Sequence, residues 1–238
     1  MVWVVPATTP PLGVDEAHLW RLDLDAAAAD NGAAMTILAA DERARAARFH
    51  FERDRERFIA GRARLRRLLA SYLDRAPAEL VFAFGRHGKP ALENSGIEFN
   101  LSHSGGCALI AMARGRPVGV DVERIRGDFA CEDIARRFFA PAEVDQLATL
   151  APEAYATGFF RCWTRKEAYV KARGDGLTLE LDRFEVPLDP AARRAIATCA
   201  DEPSETSRWG LREIAPGPGF LGALVVEGQG WTLQTLTA

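Results

Sequence analysis

The length and composition of the chain are those of a globular protein. Its 238 residues carry a net charge of −3, with 48% hydrophobic and 26% charged side chains, which suffices for a sizeable core. No stretch of about 18 apolar residues is present to cross a bilayer, and the N-terminal segment lacks the basic region of a secretory signal. Four scattered cysteines without a C-x-x-C pair argue against a disulfide framework or a zinc site. We therefore expect a cytoplasmic protein with reduced thiols and no membrane partner.

Hydrophobic periodicity predicts helices followed by short strands in the first half of the chain. The predicted elements there are a strand at residues 3–5, a long helical region at 39–73, and strands at 81–84, 98–101, 108–113 and 118–122. Gly115 lies in the short turn between the last two strands, so we expect these strands to pair as a hairpin. Arginines fill the polar face of the helical region and give the first half a basic surface.

The same order of elements recurs in the second half. Helices are predicted at residues 131–138, 142–150 and 154–173, and strands at 184–186, 209–214, 220–226 and 231–236. Because the strands are short or alternate in polarity, antiparallel sheets fit better than a parallel doubly wound sheet. We expect an α+β fold of two similar lobes, residues 1–116 and 117–238, each with helices packed on a small, mainly antiparallel sheet.

Two carboxylates occupy alternate positions of one predicted strand. In the segment GVDVE, residues 119–123, the valines face one side, while Asp121 and Glu123 face the other with Cα atoms about 6.5 Å apart. Neighbouring carboxylates repel each other unless a cation lies between them, and a hard divalent ion such as Mg²⁺ suits their oxygens. The alternative interpretation is the solvated outer face of an edge strand.

A third carboxylate lies on the apolar stripe of the helix predicted at residues 154–173. Glu167 falls between Phe160 and Trp163 on the helical wheel, where an unpaired carboxylate is costly. It could be a metal ligand or a base. The alternative is a structural ion pair with Lys171, which lies one turn further along.

Two polar turns complete the candidate site. The segment NLSHSGG, residues 100–106, offers backbone amides, a hydroxyl and an imidazole to a phosphate or a sugar, although an ordinary turn has the same composition. The segment GRHGKP, residues 85–90, places cations in a tight loop, for which a plain turn is the alternative. A serine hydrolase is excluded because the G-x-S-x-G nucleophile motif is absent.

Four ordered motifs resemble those of the 4′-phosphopantetheinyl transferase superfamily, in particular its longer, broad-specificity type, which activates secondary-metabolite synthases. They are GKP at 88–90, FNLSHS at 99–104, GVDVE at 119–123 and WTRKEAYVK at 163–171. The resemblance implies two lobes related by a pseudo-twofold axis, with the active site in the cleft between them. It also implies transfer of the phosphopantetheine arm of coenzyme A to a serine of an apo acyl or peptidyl carrier protein.

The resemblance carries roles to individual positions. It implies that Mg²⁺, or Mn²⁺ in its place, binds to Asp121, Glu123 and Glu167, with Glu167 and Lys171 as catalytic residues. It implies contacts with coenzyme A at Arg45, Lys89, Ser102, His103, Lys166 and Lys171. Of these, Arg45, Ser102 and His103 correspond to contacts near the adenosine 3′-phosphate.

The chain departs from the family pattern at one basic position. A basic residue of relatives would fall at Glu42, and neighbouring Arg43 is the candidate replacement. The carrier protein is expected to be acidic around its serine. Basic and apolar residues near the cleft are therefore candidates for its docking surface: Arg126, Arg136, Arg137, Phe138 and Phe139. For the two phenylalanines, a place in the core is the favoured alternative.

Two other functions compete with the transferase. A magnesium-dependent phosphodiesterase or nuclease could use the same acids together with the basic surface of residues 43–75. That surface lacks the interleaved aromatic residues of many nucleic-acid-binding proteins. A non-catalytic module that binds coenzyme A or a carrier is the other alternative, and the joint presence of Asp121, Glu123, Glu167 and Lys171 argues against it. We expect a monomer that does not bind nucleic acid.

Overall fold

The computed structural model describes residues 2–176 and 179–238. The first half contains, in chain order, β1 (Glu16–Asp23), α1 (Leu24–Ala27), α2 (Asn31–Ile37), α3 (Ala40–Ala46), α4 (Glu52–Leu73), β2 (Ala83–Phe84), β3 (Pro90–Ala91), β4 (Ile97–Ser104) and β5 (Cys107–Arg114). The second half contains β6 (Val118–Arg124), α5 (Glu132–Phe138), α6 (Pro141–Ala148), α7 (Pro152–Arg173), β7 (Phe184–Glu185), β8 (Thr198–Cys199), α8 (Glu205–Arg208), β9 (Trp209–Ile214), β10 (Phe220–Glu227) and β11 (Thr232–Thr237). Among the described residues, no helix combines the length and hydrophobicity that a membrane span needs.

Two sheets lie face to face at the centre of the molecule. The first has the strand order β11-β1-β5-β4, in which β1 and β11 are parallel and the other pairs antiparallel. The second is antiparallel, with the order β6-β10-β9. Because side chains alternate along a strand, every second residue of these strands enters the interface between the sheets, as do Ala17, Leu19, Leu109, Ala111, Val118, Val120, Val122, Leu224 and Val226.

Two 22-residue helices cover the outer faces of the sheets. Helix α4 packs on the first sheet through leucines that meet Trp20, Phe99 and Ile110. Helix α7 packs on the second sheet through Phe159, Phe160 and other apolar residues. The predicted α+β fold of two lobes is confirmed, and its layers follow the order helix, sheet, sheet, helix.

The predicted hairpin of β5 and β6 is wrong. Strand β5 lies between β1 and β4 in the first sheet, whereas β6 pairs only with β10 among the described strands. The turn at Gly115, which has a φ of 62°, therefore carries the chain from one sheet to the other. Both strands are buried on both faces, so their polarity pattern could not indicate which strand each one pairs with.

Two further differences concern the N-terminal half. The predicted helix at residues 39–73 is interrupted at 47–51, between α3 and α4. The predicted strand at residues 3–5 is a single bridge from Val4 to Leu236. Strand β1 was not predicted, because its residues Ala17–Trp20 are buried on both faces and show no alternation.

The division into residues 1–116 and 117–238 remains a prediction. The chain passes between the two sheets close to this boundary. Strand β11, however, belongs by sequence to the second segment and pairs with β1 in the first sheet.

Candidate active site

Strand β6 presents its carboxylates to helix α7. Val118, Val120 and Val122 face the interface between the sheets, so Asp121 and Glu123 face the other way. Asp121 is only 3% exposed, because α7 lies across this face of the strand. The interpretation of this face as the solvated side of an edge strand is therefore wrong.

Gly119 allows the helix to approach the strand. A Cβ atom at Gly119 would overlap the carbonyl oxygen of Ala168 and the amide nitrogen of Ala172. Only glycine permits this contact between the two backbones. The close approach brings Lys171 within hydrogen-bonding distance of Asp121.

The two oxygens of Asp121 have different surroundings. Its Oδ1 accepts hydrogen bonds from Lys171 Nζ at 2.6 Å and from Ser102 Oγ at 2.8 Å. Its Oδ2 is buried and has no hydrogen-bond partner in the described part of the chain. A buried carboxylate oxygen without a donor is costly, and a hard cation would satisfy it.

Short polar side chains of β4 contact β6 along this edge. The Oδ1 atom of Asn100 accepts the Val120 N–H at 2.9 Å. The Ser104 hydroxyl donates to Glu123 Oε2 at 2.7 Å and accepts the Arg124 N–H at 3.1 Å. Asn100 and Ser104 were not predicted as site residues, although both lie in the polar turn segment at 100–106.

A cleft of about 770 Å³ opens beside these acids. Lys89 and Asn100 line it from the first lobe, and Trp163, Glu167 and Lys171 line it from α7. The cleft therefore brings three of the recognised motifs, GKP, FNLSHS and WTRKEAYVK, to one place.

Glu167 is a half-buried carboxylate on the wall of this cleft. Burial raises its pKa, the positive charge of Lys171 opposes the rise, and the charges of Asp121 and Glu123 add to it. Glu167 forms no ion pair with any of the described residues, since the Lys171 ammonium pairs with Asp121. The alternative of a structural Glu167–Lys171 pair is therefore wrong.

Lys171 keeps its charge in this setting. Burial lowers its pKa, but the charge of Asp121, the hydrogen bond to it and the charge of Glu167 outweigh that effect, so the pKa is raised. The site thus holds a stable ammonium among three carboxylates.

Lys89 of the GKP loop reaches across to β6 and α7. Its ammonium donates to the carbonyl oxygens of Val118 at 3.0 Å and Ala172 at 3.4 Å. Burial lowers its pKa. Its hydrogen bonds place the Lys89 amino group on the wall of the cleft, at the point where the two lobes meet.

His103 lies in a second, cationic part of the site. It points to the opposite face of β4 from Ser102. Its pKa is lowered by desolvation and then by the positive charges of Lys171, Arg57 and Arg45. Arg57 also pairs with Asp25 at 2.6 Å, and the remaining positive charge around His103 suits an anionic group. Arg57 was missed because it is one of many arginines in α4, and nothing in the sequence distinguishes it from the others.

The structure separates Ser102 from His103, although the sequence grouped them. The Ser102 hydroxyl donates to Asp121 and accepts from Lys171 Nζ at 3.2 Å. Its hydrogen bonds are thus made inside the acidic part of the site, while His103 faces the arginines.

The prediction that Lys166 contacts phosphate is corrected by the structure. Lys166 is fully buried, and its ammonium pairs with Glu143 at 2.8 Å. It also donates to the carbonyl oxygens of Leu181 at 2.7 Å and Phe184 at 2.6 Å. Glu143 and the two carbonyl groups occupy all three donor positions of the ammonium, so the side chain stabilises the fold.

Glu42 and Arg43 also have structural partners. Glu42 is buried and pairs with Arg62 at 2.7 Å and Arg66 at 2.6 Å. Arg43 donates to the carbonyl oxygen of Leu38. Glu42 is therefore part of an ion-pair cluster that joins α3 to α4, and nothing in these contacts directs Arg43 to the cleft.

The acids fit a divalent cation by their chemistry and by one unsatisfied atom. Carboxylate oxygens are the ligands of Mg²⁺ and Mn²⁺, and Asp121 Oδ2 is buried without a donor. Within residues 2–176 and 179–238, however, no group of three or more His, Cys, Asp or Glu side chains has the arrangement of a metal site. The assignment of Asp121, Glu123 and Glu167 to a metal therefore remains a prediction.

Comparison with known proteins gives a family for both halves of the chain. A model of the N-terminal region of 4′-phosphopantetheinyl transferases matches residues 25–115, and a model of the 4′-phosphopantetheinyl transferase superfamily matches residues 117–217. The chain is 39% identical over 233 residues to the 4′-phosphopantetheinyl transferase HetI of Nostoc sp., which covers 96% of this chain and 95% of HetI.

Two other relatives agree. A putative 4′-phosphopantetheinyl transferase of Synechocystis sp., slr0495, is 35% identical over 178 residues, 74% of this chain and 71% of the relative. The 4′-phosphopantetheinyl transferase Sfp of Bacillus subtilis is 27% identical over 192 residues, 80% of this chain and 83% of Sfp. With the two models spanning both lobes and HetI aligned along nearly the whole length, the chain belongs to the 4′-phosphopantetheinyl transferase superfamily.

Proposed function

We propose that this phosphopantetheinyl transferase carries out its reaction in the cleft beside α7, with Mg²⁺ held by Asp121, Glu123 and Glu167. The observation that carries the proposal is the pairing of Asp121 with Lys171 beside a buried, unsatisfied carboxylate oxygen. Such an arrangement suits a diphosphate and a divalent cation together, since the ammonium binds phosphate oxygens and the free carboxylate oxygen binds the cation. Mn²⁺ is expected to replace Mg²⁺.

The reaction joins the phosphopantetheine arm of coenzyme A to the hydroxyl of a carrier serine. A bond forms from the serine oxygen to the β-phosphorus, and the bond from that phosphorus to the oxygen of 3′,5′-ADP breaks. When bound, the divalent ion supplies positive charge to the diphosphate and to the departing oxygen.

Two residues of α7 serve the transfer directly. Glu167 lies on the cleft wall without an ion-pair partner in the described chain. A carboxylate has two oxygens, so Glu167 could hold the cation with one and accept the serine proton with the other, directly or through a water molecule. Lys171 holds its positive charge beside the same wall. It is suited to stabilise the negative charge that develops on the leaving oxygen.

The cationic part of the site is suited to the adenosine end of coenzyme A. Arg45 and Arg57 surround His103 with positive charge, which favours a phosphate dianion. We propose that this cluster binds the 3′-phosphate and that Lys89 contacts coenzyme A near its nucleotide. In this arrangement Ser102 acts at the acids rather than at the 3′-phosphate.

The carrier is proposed to dock beside the open side of the cleft, near α5. Arg137 and Phe138 line the cleft, and Arg126 packs over the ring of Phe129 nearby. Phe139 is buried at 2% exposure and belongs to the core, as expected. Arg136 pairs with Glu132 on the same helix, so Arg126 and Arg137 are the stronger candidates for contact with an acidic carrier.

The proposed setting is a monomer acting in the cytoplasm. Both walls of the cleft, the GKP loop and α7, come from one chain, which supports a site that is complete without a second copy. The cysteines are free thiols, a state that fits a reducing compartment.

A mass-shift assay tests the proposal. The protein is incubated with coenzyme A, Mg²⁺ and a panel of apo-carriers from fatty-acid, polyketide and peptide synthases. We expect at least one carrier to gain the mass of the phosphopantetheine arm, and Glu167→Gln to lower kcat about 100- to 10,000-fold, the usual contribution of a proton acceptor. Glu180→Gln is the matched control, because Glu180 is exposed and lines the same cleft. Full activity of Glu167→Gln would show that Glu167 is not the proton acceptor.

A further inference from the structure

Strands β4 and β6 meet without sharing a sheet. Each is bonded to other strands, β4 to β5 and β6 to β10, and no backbone hydrogen bond joins the two in the described part of the chain. The position of the carboxylates on β6 relative to β4 is therefore set by side chains.

Three polar side chains of β4 make these contacts. Asn100, Ser102 and Ser104 occupy alternate positions and so share one face of the strand. Asn100 accepts the Val120 N–H, Ser102 donates to Asp121, and Ser104 donates to Glu123. Each of these three side chains thus contacts a different residue of β6, and each of the two carboxylates accepts a hydrogen bond from one hydroxyl.

The hydrogen bonds of Ser104 fix the direction of its single hydroxyl hydrogen. Its oxygen accepts the Arg124 N–H at 3.1 Å, and the hydrogen is then free for Glu123 Oε2 at 2.7 Å. Among the described residues, this is the only side-chain hydrogen bond of Glu123. Without it, a half-buried glutamate with three rotatable bonds would sample several rotamers.

We propose that Ser104 is a positioning residue, which holds the Glu123 carboxylate in the orientation needed to bind the divalent cation. The inference rests on the proposed metal site at Asp121, Glu123 and Glu167. Groups that orient a metal ligand through a hydrogen bond commonly change metal affinity or activity 10- to 100-fold when they are removed.

The test measures metal binding as well as activity. Mn²⁺ affinity is determined by electron paramagnetic resonance with coenzyme A present and carrier absent, so that no turnover occurs. Ser104→Ala is expected to weaken Mn²⁺ binding about 10- to 100-fold and to raise the Mg²⁺ concentration for half-maximal rate, while kcat at saturating Mg²⁺ stays near that of the wild type. Ser104→Thr, which keeps the hydroxyl, should restore the affinity. Ser207→Ala is the control, because Ser207 is exposed and its hydroxyl donates to the carbonyl oxygen of Ser204 in its own turn.

A second variant separates this role from a general effect on the fold. In a Glu123→Gln background, Ser104→Ala should cause little further loss of Mn²⁺ affinity, since the residue acts through Glu123. Equal losses in both backgrounds would contradict the inference. Should Ser104→Ala fail to fold, Ser104→Cys takes its place, because a thiol keeps the size but donates weakly, and it is expected to lose affinity in the same way.

The outcomes distinguish this inference from the proposed function. If the wild type binds Mn²⁺ and Ser104→Ala binds it equally well, only the role of Ser104 is overturned. If the wild type binds no Mn²⁺ under these conditions, the metal site and the inference fall together.

Discussion

Two lysines of α7 lie five residues apart and have opposite surroundings. A helix turns 100° per residue, so Lys166 and Lys171 point about 140° apart. Lys171 faces Asp121 beside the cleft, whereas Lys166 points into the interior of the second lobe and pairs with the buried Glu143. One side chain therefore faces the candidate site and the other is buried in the fold, although the sequence motif contains both.

Loss of Lys166 should therefore reduce stability more than catalysis. Lys166→Met leaves the Glu143 carboxylate buried without its counterion, which costs about 3–5 kcal/mol. Urea unfolding measures the loss, and Glu143→Gln in the same chain should recover part of it by removing the stranded charge. A Lys166→Met protein of normal stability with a raised KM for coenzyme A would instead support a phosphate contact.

A buried histidine predicts how stability depends on pH. Trp20 donates to the Tyr72 oxygen at 3.0 Å, so the Tyr72 hydroxyl is free to donate to His18 Nδ1 at 2.6 Å. A protonated His18 cannot accept this bond. Burial lowers the pKa of His18 below its ordinary value of 6.5, and Glu16 only partly opposes the effect.

The direction follows from the proton count of the two states. Below pH 6.5, His18 binds a proton in the unfolded chain more readily than in the folded chain, because its pKa is lower in the folded chain. The free energy of unfolding should therefore fall as the pH falls. His18→Gln should flatten this dependence in urea unfolding measured across the range. An unchanged slope in the variant would show that other groups cause it.

At the scale of elements, the contact between α7 and β6 sets the geometry of the site. Gly119→Ala would place a methyl group against the α7 backbone at Ala168 and Ala172. The helix must then move away from the strand, at a cost of about 1–3 kcal/mol, and Lys171 moves away from Asp121. We expect a fall in kcat together with a lower unfolding midpoint.

A second glycine provides the control for this prediction. A Cβ at Gly127 would meet no atom within 4 Å, so Gly127→Ala should leave kcat and stability close to the wild type. Wild-type kcat in Gly119→Ala would mean that the separation of helix and strand does not control the site.

The sequence predicted the elements better than it predicted the pairing of the strands. The alternation in GVDVE correctly placed Asp121 opposite the valines, because one face of β6 is apolar and the other is not. It could not show that the chain changes sheets at Gly115 or that Lys166 points inward. Those features depend on contacts between residues far apart in the chain, such as Lys166 with Glu143, which local periodicity does not contain.

At the scale of the whole molecule, the two sheets are held as one body by their shared interface and by β11. The interface is lined by small and branched apolar residues from both sheets. Strand β11 follows β10 in the chain, yet it pairs with β1 at the edge of the first sheet. The first lobe therefore contains chain from both halves of the sequence, and we expect the two lobes to unfold together.

A substitution in β11 tests this coupling. Leu236 is 4% exposed and belongs to the core between α4 and the first sheet, so Leu236→Ala should cost about 2–5 kcal/mol. Hydrogen exchange should show equal losses of protection in β5 and in β10, although only β5 lies in the same sheet as Leu236, because both strands exchange through one global opening. Leu150→Ala, at a position 36% exposed, should change neither strand. A loss confined to β5 would mean that the two lobes unfold independently, and the boundary near residue 116 would then separate two cooperative units joined by a strand.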